Sequence, residues 1–275
     1  SGQLEEVTSA ALAFIAFLEA EVTQENGIRW ALVPFGNAVV NVAPHDDWVE
    51  TSSWPVNIPP NVPGTTEWVG NLAEDRWCVG PRSGVAGEDD TPPASVAFPL
   101  VLTLDSEIDA GTGLPHFTNI TTEDCREDRI LGLTDNLTIS AALASLDGNG
   151  EATYGRGMLW AERTLSPLWQ GLWNGNAALP AAYEDETIEN IAVLVVGSSA
   201  ADAAEDTRLS NTCARMKQNN ITLYVIDYLA PLATSSLLRA CATTEGHYYR
   251  VTEATSLQSA FFSIAKFMTV IRFAG

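Results

Sequence analysis

Basic residues are scarce in this chain: 14 Lys plus Arg face 35 Asp plus Glu over 275 residues, a formal net charge of -21 at pH 7. Such a surface repels a phosphate backbone, which excludes nucleic acid as a partner class and suits a salty or extracellular setting. Long apolar runs are missing too. Nothing approaches the roughly 20 apolar residues that cross a bilayer, and the apolar stretch at residues 10–20 is interrupted by Glu19 and followed by Glu21. Membrane attachment is therefore expected only through an anchor upstream of Ser1, which reads as a processed or trimmed start because no initiator Met or signal segment stands before it. Histidine is limited to three residues. His45 and His116 lie near Asp46, Asp47 and Asp105, but without ligand spacing they read as scattered surface groups. Gly148-x-Gly150 has neither the preceding strand nor the Lys that a phosphate loop needs.

Cysteine is sparse as well. Cys78, Cys125, Cys213 and Cys241 form no C-x-x-C pair, which argues against a thiolate zinc site. Cys213 and Cys241 fall on consecutive predicted helices flanking one strand, and a bridge between them would stabilise by about 3 kcal/mol. Cys78 with Cys125 then follows by elimination. Two bridges imply an oxidising compartment; the alternative is four buried free thiols.

What the chain does have is alternation of strand and helix. Residues 191–196 are a continuous apolar run ended by Gly197-Ser198-Ser199, the pattern of a strand buried on both faces and expected mid-sheet. A helix over 206–218 carries Leu209, Cys213 and Met216 on one stripe, and a second buried strand follows at 221–226. A helix over 232–242, a strand at 247–251 and an amphipathic helix through Leu257, Phe261, Ile264, Phe267, Met268 and Ile271 complete the block. The expected fold is α/β: a Rossmann-like, mostly parallel sheet with helices on both faces.

Upstream, Leu4, Val7, Ala11, Phe14, Ile15 and Leu18 make residues 4–22 an amphipathic helix. A strand at 28–35 is expected to pair with 38–42 as an antiparallel hairpin through Gly36-Asn37. Prolines then crowd the chain, and residues 46–124 read as a long irregular Pro- and Trp-rich insertion held by Cys78 and Cys125. Its Trp48, Trp54, Trp68 and Trp77 present either a binding face or anchors that pack the lobe. Residues 1–45 with 125–275 form the main domain; short helices are expected at 139–146 and 155–165.

Gly197-Ser198-Ser199 shares with hydrolase nucleophile elbows its place between a buried strand and a helix. A secreted α/β hydrolase using Ser198 is thus an alternative, although the G-x-S-x-G spacing is missing and His247 has no evident carboxylate partner. The serines more simply cap the loop and helix that follow.

Taken in order, several motifs resemble those of the von Willebrand factor A-like domain of TadG-type proteins, components of Flp (tight adherence) pilus assembly. They are Leu32-Val33-Pro34-Phe35 with Val40-Asn41-Val42, Trp77-Cys78-Val79-x-x-Arg82, Leu133-Thr134-Asp135, Gly150-x-x-Thr153, and Gly157-Met158-Leu159-Trp160 through Leu165-Ser166-Pro167. Cys213-x-x-Met216-Lys217, Ile221-x-x-Tyr224-x-Ile226, Cys241-Ala242 and His247-Tyr248-Tyr249 continue the series. The resemblance implies a von Willebrand A-type fold and a divalent cation, Mg²⁺ or Ca²⁺, above the carboxyl ends of the strands. Thr153 matches one ligand of that pattern, but Gly197 stands where it has Asp, and the first strand with its Asp-x-Ser-x-Ser loop is missing, to be supplied either by residues upstream of Ser1 or by another chain. The expectation is a vestigial site at Thr153, Gly197 and Ser198 with no metal or other cofactor. The implied function is non-enzymatic: protein binding in the bacterial cell envelope, periplasmic or extracellular, in pilus assembly or adhesion. A scaffold subunit of an extracellular assembly is the remaining alternative. The expected contact surface is the region of Thr153 and Ser198 together with the Trp-bearing insertion.

Overall fold

The computed structural model describes residues 2–21, 27–36, 39–50, 77–101, 103–108, 115–121, 128–148, 152–173 and 175–273. Two units result, Ser1–Gly36 with Leu131–Gly275, and Asn37–Ile130. The expected boundaries near 45 and 125 fall inside the second.

In the first unit, helix α1 (Gly2–Glu21) buries Ala10, Phe14, Ile15 and Leu18, one face of its 3.6-residue repeat. Strand β1 (Trp30–Leu32) follows. Trp30 donates from Nε1 to Glu19 Oε1 at 2.8 Å and sets its ring edge-on to Phe14, centroids 5.8 Å apart.

The second unit is made of short pieces. β2 (Val40–Asn41) pairs antiparallel with β4 (Cys78–Val79), and β3 (Val49–Glu50) runs parallel to β5 (Phe98–Pro99). The expected hairpin between residues 28–35 and 38–42 is therefore not formed: β1 and β2 take different partners in different units. Asn41 explains the choice at β2, since its Oδ1 accepts from the amides of Ala43 (3.0 Å) and Trp77 (3.2 Å), a long-range link with no local signature. Arg82 is buried and donates to Val96 O (2.8 Å) and Thr91 O (2.6 Å) while its guanidinium lies 4.1 Å over the Phe98 ring. The insertion also holds more regular structure than its prolines suggest. β6 (Thr103–Ile108) and β7 (Pro115–Thr121) form an antiparallel pair with one register shift between Asp105 and Ser106.

Back in the first unit, β8 (Leu131–Thr134) pairs antiparallel with β1. Helix α2 (Asn136–Ala144) starts on Asp135, whose side chain accepts from Thr138 N, and α3 (Tyr154–Leu165) ends at Ser166-Pro167. Then come β9 (Ile191–Val196), α4 (Ala203–Gln218), β10 (Thr222–Tyr228), α5 (Leu232–Cys241), β11 (Tyr248–Val251) and α6 (Ala254–Phe273). The parallel sheet runs β11-β10-β9. Its strands alternate between two cores. Ala192, Leu194, Val196, Leu223 and Val225 meet α3, α4 and α5, whereas Ile191, Val193, Val195, Tyr224, Ile226 and Tyr228 meet α1, α2 and α6. Helices thus cover both faces, as expected.

Among the described residues the sheet is smaller than the one expected, and β9 lies at its edge rather than mid-sheet. Among the described residues β9 pairs only with β10, and β1 only with β8. Yet α3 touches β1, β8 and β9, and Trp30, Leu32 and Leu131 share a core with Val193 and Val195. The two sheets sit between the same helices with no ladder joining them. Those helices bury one face of β9, at Ala192, Leu194 and Val196, and partly cover the other, at Ile191, Val193 and Val195, which is why its apolar run reads as a central strand. The bridge Cys213–Cys241 fastens α4 to α5 with Cα atoms 5.3 Å apart.

Candidate functional site

Open α/β sheets bind ligands beyond the carboxyl ends of their strands. At that end β9 stops at Val196, and Gly197 follows in a tight place. A Cβ there would lie 3.1 Å from Tyr228 O and 4.0 Å from Gln3 Oε1, so β10 and the start of α1 crowd the turn. The amide of Ala201 donates to Ala152 O at 3.0 Å, which brings the loop after β9 against the start of α3. Thr153, Gly197 and Ser198 are therefore gathered into one loop cluster, Thr153 buried and the other two exposed. The serines do not cap α4. Asp202 does, accepting from Ala204 N (2.7 Å) and Glu205 N (3.1 Å).

The carboxylates of this region are all held by protein donors. Asp206 accepts from the Tyr154 hydroxyl, a bond that, after burial, is the main reason the phenol's pKa is raised. Glu205 is 1% exposed and takes Arg156 N at 3.0 Å, Arg156 Nε at 3.3 Å, and the guanidinium of Arg208. Asp227, fully buried near the end of β10, accepts from Ala230 N (3.2 Å), Tyr248 Oη (2.6 Å) and Arg250 Nη1 (2.8 Å). A Mg²⁺ or Ca²⁺ ion requires several free oxygen ligands, carboxylates foremost. Of the substitutes nearest to hand, Asp227 is buried and takes three donors, whereas Asp202 and Asp206 are exposed and each accepts protein donors on one carboxylate oxygen. Among the described residues no group of three His, Cys, Asp or Glu is arranged for a metal.

A hydrolase using Ser198 would need a base beside it, and His247 is not placed there. Val193 is level with Tyr224, and Val225 with Tyr248, so His247 stands beside the amino-terminal half of the sheet. Ser198 lies five residues beyond Val193, about 16 Å away by strand rise. The two cannot form a nucleophile–base pair.

Of the four tryptophans considered for binding, Trp48 is 1% exposed, its ring stacked on His45 at 3.8 Å. It packs the second unit and offers no face. Trp77 is half-buried, and Trp54 and Trp68 lie outside the described residues. Cys78 is disulfide-bonded; its expected partner, Cys125, is likewise outside them.

Sequence reasoning missed the exposed leucines of the β10–α5 loop. Leu229 is 42% and Leu232 78% exposed, and Leu229 holds a left-handed backbone with φ 64°, pinned by its amide to Val251 O at 3.0 Å. A β-carbon in that region is strained. The only sequence signal is two leucines flanking Ala230-Pro231 where a polar loop is usual.

No protein-family model and no curated protein matches the chain. Solved structures it is similar to include proximal thread matrix protein 1 (PTMP1) from the mussel byssus, at 14% identity over 53% of this chain and 34% of that one, TM-score 0.36. A second crystal form gives 13% over 53% and 33%, TM-score 0.34. The same protein with a zinc occupied MIDAS motif gives 14% over 56% and 37%, TM-score 0.35. The chain spans about a third of the length of that protein. Likeness at this level assigns no activity.

Proposed function

We propose that the chain is a non-enzymatic protein-binding domain of the bacterial cell envelope, von Willebrand A-like and TadG-like, acting in Flp-type pilus assembly or surface adhesion. The observation that carries this reading is the carboxyl end of the β9–β11 sheet. Its carboxylates are engaged by protein donors, and what it offers outward is Ser198, Leu229 and Leu232. Such a surface recognises a partner by shape and apolar contact rather than by ion or reaction. The Cys213–Cys241 bridge supports a periplasmic or extracellular setting, since disulfides persist in oxidising compartments. Within the same reading, the edge of β9 that is unpaired among the described residues takes the domain's first strand, from residues upstream of Ser1 or from another chain, and residues 46–124 are a second contact region.

The test is pilus assembly and adhesion in cells carrying Leu229→Asp with Leu232→Asp, or a deletion of residues 50–124, with surface abundance measured in parallel. Loss of partner capture at normal abundance supports the reading. Unchanged assembly, adhesion and partner capture in both would refute it.

A further inference from the structure

Three buried polar atoms on one face of the parallel sheet have no hydrogen-bond partner among the described residues: the hydroxyls of Tyr224 and Tyr249 and Nδ1 of His247. The ladder puts them side by side. Val225 is level with Tyr248 and Ile226 with Tyr249, so Tyr224 is level with His247 and one diagonal step from Tyr249. Diagonal neighbours on one face lie within reach of aromatic side chains. Tyr224 and His247 indeed touch, their ring centroids 4.4 Å apart and tilted by 49°. The surroundings are apolar. Tyr224 is 1% exposed in the core that α1 and α6 close with Phe261 and Ile264, and Tyr249 packs against that core.

A native interior rarely leaves such groups unsatisfied, and three on one face of a ladder can share a partner. The partner's chemistry is constrained. Burial, with smaller contributions from Tyr249 and Glu189, raises the Tyr224 phenol to about 12, so it keeps its proton; burial lowers the His247 imidazole, which favours its neutral form. Phenols that keep their protons are poor metal ligands and one imidazole alone does not make a metal site, while an apolar guest would leave all three atoms unmet. A molecule that both donates and accepts, and that makes about three hydrogen bonds when buried, is water.

We propose that Tyr224, Tyr249 and His247 together hold one internal water molecule between the β10–β11 ladder and the helices above it. That water ties the last strand of the sheet to its neighbour through side chains, in addition to the backbone ladder.

The experiment is oxygen-17 magnetic relaxation dispersion on the intact chain, which counts long-lived internal waters, repeated on Tyr224→Phe/Tyr249→Phe. The count is expected to fall by one in the double variant, whose far-ultraviolet spectrum reports whether it folds. An unchanged count in a folded variant overturns the proposal. If the variant does not fold, an atomic-resolution crystal structure of the parent protein decides. Density for a water within hydrogen-bond distance of all three atoms supports the proposal, and direct bonds among the three side chains or a dry space overturn it.

Discussion

Glu205 shows how much one side chain holds in this protein. Its carboxylate joins Arg156 on α3 to Arg208 on α4 from a position with almost no solvent access. Removing one partner of a buried ion pair strands the other's charge, at a cost of about 3–5 kcal/mol. Glu205→Ala is expected to lose stability of that order in urea unfolding, whereas Glu205→Leu with Arg208→Met should recover most of it. Histidine gives a second prediction at this scale. Burial lowers the pKa of His247, and lowers that of His45 more than Asp47 and Asp46 raise it. A depressed folded pKa means that the unfolded chain binds more protons. Stability should therefore be full above the ordinary imidazole value of about 6.5 and fall as pH drops below it. Melting curves across that window, with His247→Phe as comparison, should show the variant losing part of the dependence.

At the scale of elements, the bridge between α4 and α5 and the edge of β9 that is unpaired among the described residues make separate predictions. Opening the 28-residue loop by Cys213→Ala with Cys241→Ala is expected to cost about 3–4 kcal/mol, read from denaturation midpoints. Amide exchange along β9 should be protected only at positions bonded to β10, and a chain extended upstream of Ser1 should protect the others. If those amides stay fast in the extended chain, the upstream assignment of the first strand is wrong. Much at this scale was legible in sequence. The runs at 191–196 and 221–226 and the stripe Leu209, Cys213, Met216 announced their elements because buried faces leave periodic apolar patterns. Pairing was not legible. The partner of β1 lies a hundred residues away at Leu131–Thr134, and Asn41 steers β2 toward Trp77 through a side-chain bond that no local pattern encodes. The site divided the same way. Thr153 and Ser198 could be placed together from motif order, but the donors that occupy Asp206 and Asp227, and the strained turn at Leu229, arise only from tertiary contacts.

Over the whole molecule, charge governs behaviour. With a net charge of -21, compaction works against self-repulsion, which salt screens over a Debye length of about 10 Å at 0.1 M. Thermal midpoints should climb as sodium chloride rises from low to molar concentration, and a flat or falling curve would mean that the acidic groups are too dispersed to repel.

The Cys213–Cys241 bridge has a mechanical consequence as well. The loop it closes contains β10, the middle strand of the parallel sheet. A pulling force applied to the chain on either side of that loop passes through the sulfur atoms and bypasses the strand. The chain between the cysteines, a sequence separation of 28 and about 95 Å of contour at full extension, stays out of reach until the bridge is reduced. A domain tethered at a surface and loaded by its partner would yield first at its flanks, with its central strand still held inside the closed loop.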